Sequence, residues 1–255
     1  MNWEGLQTDL KRLKLRRIRE LLSRDDIRET LAAFEDPVAM VAHLIEQEVA
    51  AREETQREKR LAQARFPSAK TLEDFDYEAQ TSVREQDILT LGQLTFLERR
   101  ENVVLLGPPG VGKTHLAIGL GMRAVQHGYG VRFLTAGRLI DDLYASLADG
   151  TFKRELKRLG SYDLLILDEL GFLSLDRTAS DHFFQVINHA YERQSIILTT
   201  NRPFQEWAAL FDDAITVSAI LDRLLHRAHI LNLKGHSYRL RQHHQGAREE
   251  VRTLI

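Results

Sequence analysis

The sequence predicts an α/β fold: a three-layer sandwich around a parallel sheet, preceded by a small all-helical domain. Near-continuous apolar runs of strand length at residues 103–106, 131–134, 164–167 and 196–199 alternate with helical stretches such as 115–127 and 178–193. Strands apolar on both faces belong to parallel sheets covered by helices. Ahead of them, residues 6–65 read as helical throughout. A length of 255 residues leaves room for one to two domains at roughly 150 residues each.

The elements follow in order. Leu6, Leu10, Leu13, Ile18, Leu21 and Leu22 have roughly helical spacing, and Asp25 or Asp26 can cap a short second helix reaching Phe34. Asp36-Pro37 reads as an N-cap followed by proline at the first helical position. The third helix is then long, with an apolar stripe at Val38, Val41, Ala42, Leu44, Ile45 and Val49 and a charged continuation from Arg52 to Arg65. So little apolar surface suits a three-helix unit that borrows contacts. Residues 66–82 break the period and read as a linker, which divides the chain into a helical domain (1–65), the linker and a catalytic domain (83–255).

Composition removes several classes of function. With no cysteine there is no disulfide framework, thiol nucleophile or Cys-ligated zinc, and a reducing, cytoplasmic setting is expected. The start M-N-W-E-G-L-Q-T-D-L-K-R has no apolar stretch behind its charges, so neither signal peptide nor membrane span is expected. Five of ten histidines follow residue 220, and the adjacent His243-His244 read as surface residues rather than metal ligands. Trp3 and Trp207 are too isolated to suggest base stacking, and both read as packing residues.

The formal charge of -2 names no polyanion partner, but its layout is uneven. From Lys11 to Arg19 the chain reads K-R-L-K-L-R-R-I-R, six basic residues in nine. On a helix, Lys11, Arg12, Lys14, Arg16 and Arg17 form either a phosphate-contacting surface or a solvated face. Lys153, Arg154, Lys157 and Arg158 repeat as K-R-x-x-K-R, which places four charges on one helix face and offers the same two readings.

The strongest chemical signal is G-P-P-G-V-G-K-T, a full match to G-x-x-x-x-G-K-[ST] between the strand V-V-L-L and the helix H-L-A-I-G-L. The loop Gly107, Pro108, Pro109, Gly110, Val111 and Gly112 is expected to aim backbone N–H groups at a β-phosphate. The positive end of the following helix, which the run from His115 continues, reinforces it. Lys113 should bridge the β- and γ-phosphates, and Thr114 should place its hydroxyl on Mg²⁺. The strand L-L-I-L-D-E ends in two carboxylates: Asp168 to hold Mg²⁺ through its water shell, and Glu169 to polarise an attacking water. The alternative is an acidic pair that merely ends a strand. I-I-L-T-T-N should lie between the strands of the other two motifs and deliver Asn201, or less readily Thr200, beside the γ-phosphate. On the predicted helix A-I-L-D-R-L-L-H-R, Arg223 and Arg227 share a face, and either could reach a neighbouring subunit's γ-phosphate; Asp222 could instead make a local ion pair.

This order of motifs resembles the AAA+ ATPases, in particular the branch of the DnaC helicase loader and the DnaA initiator. The helical N-terminal unit, T-L-E-D-F-D-Y-E, G-P-P-G-V-G-K-T-H-L-A and the late G-H-S-Y-R-L are most similar to the IstB group, ATP-binding helpers of insertion-sequence transposases. The resemblance spans nearly the whole chain. It implies an ATP- and Mg²⁺-dependent ATPase that forms a homo-oligomer, a ring or spiral, on double-stranded DNA and presents that DNA to a partner transposase. It also implies that Asn201 is sensor 1, Glu169 the hydrolytic glutamate, Arg223 the finger acting in trans, and residues 137–159 the two-helix insertion of the initiator and loader branch. Only a short segment follows the D-R-L helix, so Arg239 would be at best a partial substitute for a second sensor. A DnaC-like loader shares every nucleotide residue and differs only in partner. A P-loop small-molecule kinase is disfavoured by Glu169 and by the T-T-N strand.

Overall fold

A computed structural model describes residues 3–238 apart from 25, 35, 173 and 212. The chain forms two compact units that divide between Lys59 and Arg60. That division falls inside a helix, a few residues before the boundary expected at 65.

The first unit contains α1 (Trp3–Arg12), α2 (Arg16–Leu22), α3 (Ile27–Ala32) and most of α4 (Pro37–Ala64), four helices where three were expected. The K-R-L-K-L-R-R-I-R run is not one helix: α1 ends at Arg12, Lys14 takes a left-handed φ of 58°, and α2 restarts at Arg16. A polar clip holds this break. Glu48 of α4, only 5% exposed, accepts the backbone N–H groups of Arg17 (2.7 Å) and Ile18 (3.1 Å) at the start of α2. Arg52 donates to Glu48 (2.9 Å) and to the carbonyl of Lys14 (2.8 Å). The carboxylate thus supplies, from another helix, the cap that Leu15 cannot provide. Burial opposes ionisation of Glu48, but the two backbone donors and Arg52 outweigh it and hold its pKa below the ordinary glutamate range. Asp36 accepts from the N–H of Val38 (2.9 Å) and α4 begins at Pro37, as expected. Of the apolar stripe on α4, Val38, Val41, Ile45 and Val49 are exposed; the helix meets α2 through Glu48 instead.

The second unit follows with α5 (Glu85–Gly92), α6 (Thr95–Glu98), β1 (Asn102–Leu106), α7 (Lys113–Gln126), β2 (Val131–Thr135), α8 (Ala136–Ala148), α9 (Phe152–Leu159), β3 (Leu164–Leu170), α10 (Arg177–Ala190), β4 (Ser195–Thr200), α11 (Trp207–Phe211), α12 (Ala214–Leu225) and β5 (Ala228–Asn232). The sheet is wholly parallel in the order β2-β3-β4-β1-β5. As expected, β4 lies between the strands of the other two motifs. Alternate residues enter two cores: Val103, Leu105, Leu164, Ile166 and Ile197 pack with α7, while Val104, Leu165, Leu167, Ile196 and Leu198 pack with α8, α10 and α12. This is the three-layer sandwich. The fifth strand, A-H-I-L-N, has no signal in the sequence because its side chains are only partly covered, unlike those of β2 at the other edge. Residues 66–82, expected to be a linker, contribute Leu72 and Phe75 to the core around α7, with Phe66 packed against it. Two helices, α8 and α9, do occupy the segment between β2 and β3. Among the described residues no helix is long and apolar enough to cross a membrane.

The clip can be tested by Glu48→Gln, which keeps the shape and removes the charge. Hydrogen exchange at the Arg17 and Ile18 amides of the full-length protein should accelerate about tenfold, matching the roughly 1–2 kcal/mol of a charged cap. The folded pKa is depressed, so the clip contributes fully above the unfolded glutamate value of about 4.3 and is lost as pH falls below it. Protection at these amides, corrected for intrinsic rates, should therefore fall on acidification in the wild type and not in the variant.

Candidate active site

The P-loop leaves the C-terminal end of β1 and is braced from several directions. The N–H of Gly107 donates to the carbonyl of Thr200 in β4 (3.1 Å), and that of Leu233, just past β5, donates to the carbonyl of Leu106 (2.7 Å). Gly107 has φ 153°, and a Cβ there would lie 2.1 Å from the backbone oxygen of Leu233, so no side chain fits. Further along the loop, the N–H of Tyr238 donates to the carbonyl of Gly110 (2.9 Å). Gly112, at φ 99°, caps α7 with the ring of Phe75 against it. Gln80 donates to the carbonyl of buried Val111 (3.1 Å), while Pro108 and Pro109 are exposed. Segments 66–82 and 233–238 therefore meet at the loop from opposite directions in the sequence. Between them opens a cleft of about 440 Å³, lined by Phe75, Gln80, Gly110 to His115, His236 and Tyr238 among others.

Lys113 opens α7 and is 8% exposed; its Nζ donates to the carbonyls of Gly107 (2.7 Å) and Pro108 (2.8 Å). Its ammonium thus sits inside the curve of the loop. Thr114 Oγ1 donates to Asp168, 2.9 Å from Oδ1 and 3.0 Å from Oδ2. His115 turns from the loop toward segment 66–82, with Nε2 2.8 Å from the carbonyl of Thr71 and its ring edge-on to Phe75.

At the end of β3 the register slips. Leu167 pairs with Leu198, but Leu170 pairs with Thr200, so Asp168 and Glu169 together oppose Thr199. This is a β-bulge, the device that re-aims side chains at sheet ends. Asp168 stays 3% exposed beside α7. Glu169 takes a left-handed φ of 63° and points to solvent while its neighbours in the strand are buried. Thr199 Oγ1 donates to Asp168 Oδ1 (2.5 Å) and accepts the N–H of Glu169 (2.9 Å). The sequence points to Thr200 and Asn201 in this motif but not to Thr199, which follows directly on the apolar run Ile196 to Leu198 as a core residue would. Thr200 is committed to its own turn, accepting the N–H of Arg202 (3.1 Å). Asn201 carries a buried Oδ1 with no hydrogen-bond partner, and a Cβ on Gly171 would lie 2.3 Å from it.

The donors fit Mg²⁺: Thr114 and Asp168 offer only oxygen, as that ion prefers. Among the described residues there is no group of three or more His, Asp or Glu that could hold a metal.

Arg223 and Arg227 lie at the opposite edge of the sheet. Asn102, first residue of β1, donates to the carbonyls of Leu224 (2.9 Å, side chain) and Arg227 (2.7 Å, backbone). Five residues of β1 at about 3.3 Å each separate that edge from the P-loop by roughly 15 Å. Arg223 donates to Asn188 (2.9 Å) and to the carbonyl of Ala219 (2.9 Å) and lies over the Phe184 ring at 5.0 Å; Arg227 is exposed. Among the basic residues, Lys11, Arg12 and Lys14 flank the break between α1 and α2 and are exposed, Arg16 pairs with Glu20 (2.7 Å), and Arg17 is half-buried. On α9, Lys153, Arg154 and Lys157 are exposed, whereas Arg158 is tied to Glu155 (Nε–Oε2 2.8 Å). Arg239, His243 and His244 lie outside the described residues.

A family profile described as IstB-like ATP binding protein matches residues 8–246. The chain belongs to this family. Among IstB-like relatives, the IS21 putative ATP-binding protein of Pseudomonas aeruginosa is 46% identical over 198 residues, covering 78% of this chain and 75% of the relative. The IS232 putative ATP-binding protein of Bacillus thuringiensis subsp. berliner is 36% identical over 242 residues, covering 95% and 96%. Of the solved structures, AMPPCP-bound DnaA from Aquifex aeolicus has a TM-score of 0.52 and 26% identity, covering 70% of this chain and 55% of DnaA. The chain spans about half the length of the replication initiators it matches. DnaI, at TM-score 0.56 and 20% identity, covers 64% of this chain and 90% of its own and shares the fold. The family is thus an ATP-binding one with a P-loop AAA+ fold, associated with insertion sequences.

Replacing Lys113 by Ala removes the ammonium held by the loop carbonyls. Binding of a fluorescent ATP analogue should weaken at least about 100-fold, since a charge-assisted phosphate contact is worth roughly 3 kcal/mol. The melting temperature by circular dichroism should shift by only a few degrees.

Proposed function

We propose that this IstB-like protein hydrolyses ATP with Mg²⁺, oligomerises on duplex DNA and delivers that DNA to a partner transposase. The observation that supports hydrolysis most directly is the bulge. It keeps Asp168 buried against Thr114 while turning Glu169 outward at the same strand end. A carboxylate so placed can polarise a water in line with a γ-phosphate, and Asn201 at the end of the neighbouring strand can orient it. When bound, Mg²⁺ would be held by Thr114 and, through water, by Asp168, and would neutralise charge on the transferring phosphoryl group. Lys113 supplies the remaining positive charge.

Arg223 lies too far from its own P-loop to serve it, which supports action on a neighbouring copy and hence a homo-oligomer. Its position on Asn188 and Phe184 pre-orders the guanidinium at the surface of α12. The exposed Lys11, Arg12 and Lys14, with Arg16 and Arg17 beside them, and Lys153, Arg154 and Lys157 on α9 supply cations for the phosphates of duplex DNA; Arg158 is a weaker candidate because Glu155 holds it. The insertion-sequence relatives favour a transposase as partner over a helicase.

Turnover and DNA binding test this reading separately. Glu169→Gln should bind ATP and lose hydrolysis by about 10²–10⁴-fold; turnover at the wild-type rate would remove Glu169 from its role. Glu169→Gln and Arg223→Ala, each inactive alone, should regain part of the activity when mixed, because a mixed interface pairs an intact Glu169 with a neighbour's intact Arg223. No recovery on mixing would count against action in trans. In gel shifts with duplex DNA, reversing Lys11, Arg12, Arg16 and Arg17 should flatten the log-log salt dependence by about 0.9 for each phosphate that is no longer neutralised.

A further inference from the structure

We propose that Thr199 is a positioning residue for hydrolysis, its one hydroxyl setting both the cation-holding carboxylate of Asp168 and the backbone of Glu169. The proposal rests on the ATPase reading above. Thr199 is 1% exposed in the interior of β4. A hydroxyl there carries a desolvation cost unless it is bonded, and a strand so covered would pack as well with valine. The hydroxyl is instead used twice. Its hydrogen goes to Asp168 Oδ1 (2.5 Å), and its lone pair takes the N–H of Glu169 (2.9 Å).

Each bond has a separate effect. The first selects between the two oxygens of Asp168: Thr114 lies 2.9 and 3.0 Å from Oδ1 and Oδ2, so Thr114 alone leaves the carboxylate free to rotate, and Thr199 fixes Oδ1. The second satisfies the amide that the bulge takes out of the ladder. At φ 63° Glu169 occupies a region that non-glycine residues enter only when the surroundings hold them there. Without the Thr199 hydroxyl the bulge loses the side-chain bond that reaches its backbone from the neighbouring strand, and the outward aim of Glu169 relaxes toward ordinary strand geometry. A single atom of β4 thus couples the cation-holding group to the water-polarising one.

The test uses the full-length chain with Thr199→Val, which keeps the volume, and Thr199→Ser, which keeps the hydroxyl. Phosphate release is measured with duplex DNA present, and binding of a fluorescent ATP analogue is titrated with Mg²⁺ and in EDTA. Valine should lower kcat about 100-fold and change KM less than about threefold. It should raise the Mg²⁺ concentration that tightens nucleotide binding about tenfold, as loss of an outer-shell partner does, and leave affinity in EDTA unchanged. Serine should restore both readings. A valine variant with wild-type kcat and Mg²⁺ dependence would overturn the proposal. If valine unfolds the protein by circular dichroism, Thr199→Ala is measured in its place; unfolding of both would make the hydroxyl structural and equally overturn it. If the wild type binds nucleotide and releases no phosphate, the ATPase reading fails, and the Mg²⁺ titration alone decides the role of Thr199.

Discussion

The buried carboxylate of Asp168 is the point to which the rest of the P-loop unit is tied. It takes hydrogens from the first turn of α7 and from the penultimate residue of β4, so a helix and two strands share one pair of oxygens. The parallel order, with β4 between β1 and β3, sets the C-terminal ends of these three strands side by side. An ion or polar group at such a depth is tolerated when its bonds are complete. The two hydrophobic cores above and below the sheet hold the strand ends rigid enough for those bonds to keep their lengths.

The two units are stabilised differently. The second unit has two extensive apolar cores. In the first unit the buried side chains are few, Leu10 and Ile18 beside the carboxylate of Glu48, and a polar clip carries the definition of the turn between α1 and α2. The same clip places Lys11, Arg12 and Lys14 around a bend rather than along one helix face. Their spacing in the chain is therefore a poor guide to their spacing in space, and any phosphates they contact must follow the bend.

Much of this was legible from residue patterns, and the exceptions share a cause. The P-loop, the first four strands, the intervening position of β4 and the start of α4 each have a local signal: a fixed spacing, a covered strand, or a cap followed by proline. The failures are features created by distant partners. Glu48 lies some thirty residues from the helix it caps, so the periodicity of Leu10, Leu13 and Ile18 runs through a break that only Glu48 and Arg52 explain. Residues 66–82 lack periodicity because they lie in extended turns over α7, and Leu72 and Phe75 anchor them in a way that composition alone does not register. At the site, Asp168 and Glu169 were readable as strand-end acids, but the bulge that separates their directions depends on Thr199, which looks in sequence like any other core residue. β5 lacked the continuous apolar run because its side chains are only partly covered.

The path of the chain through the sheet has a consequence for synthesis. β1 is the first strand to leave the ribosome, yet both its neighbours, β4 and β5, are made long afterwards, and the bond from Tyr238 to Gly110 comes later still. Vectorial folding from the N-terminus therefore cannot finish the P-loop when its own residues emerge, because β4 and β5 follow later in the chain. A prematurely terminated product ending before β5 would retain the whole nucleotide motif in its sequence and lack the braces from Leu233 and Tyr238. Completion of the P-loop braces thus waits for β5 and for the segment that carries Tyr238.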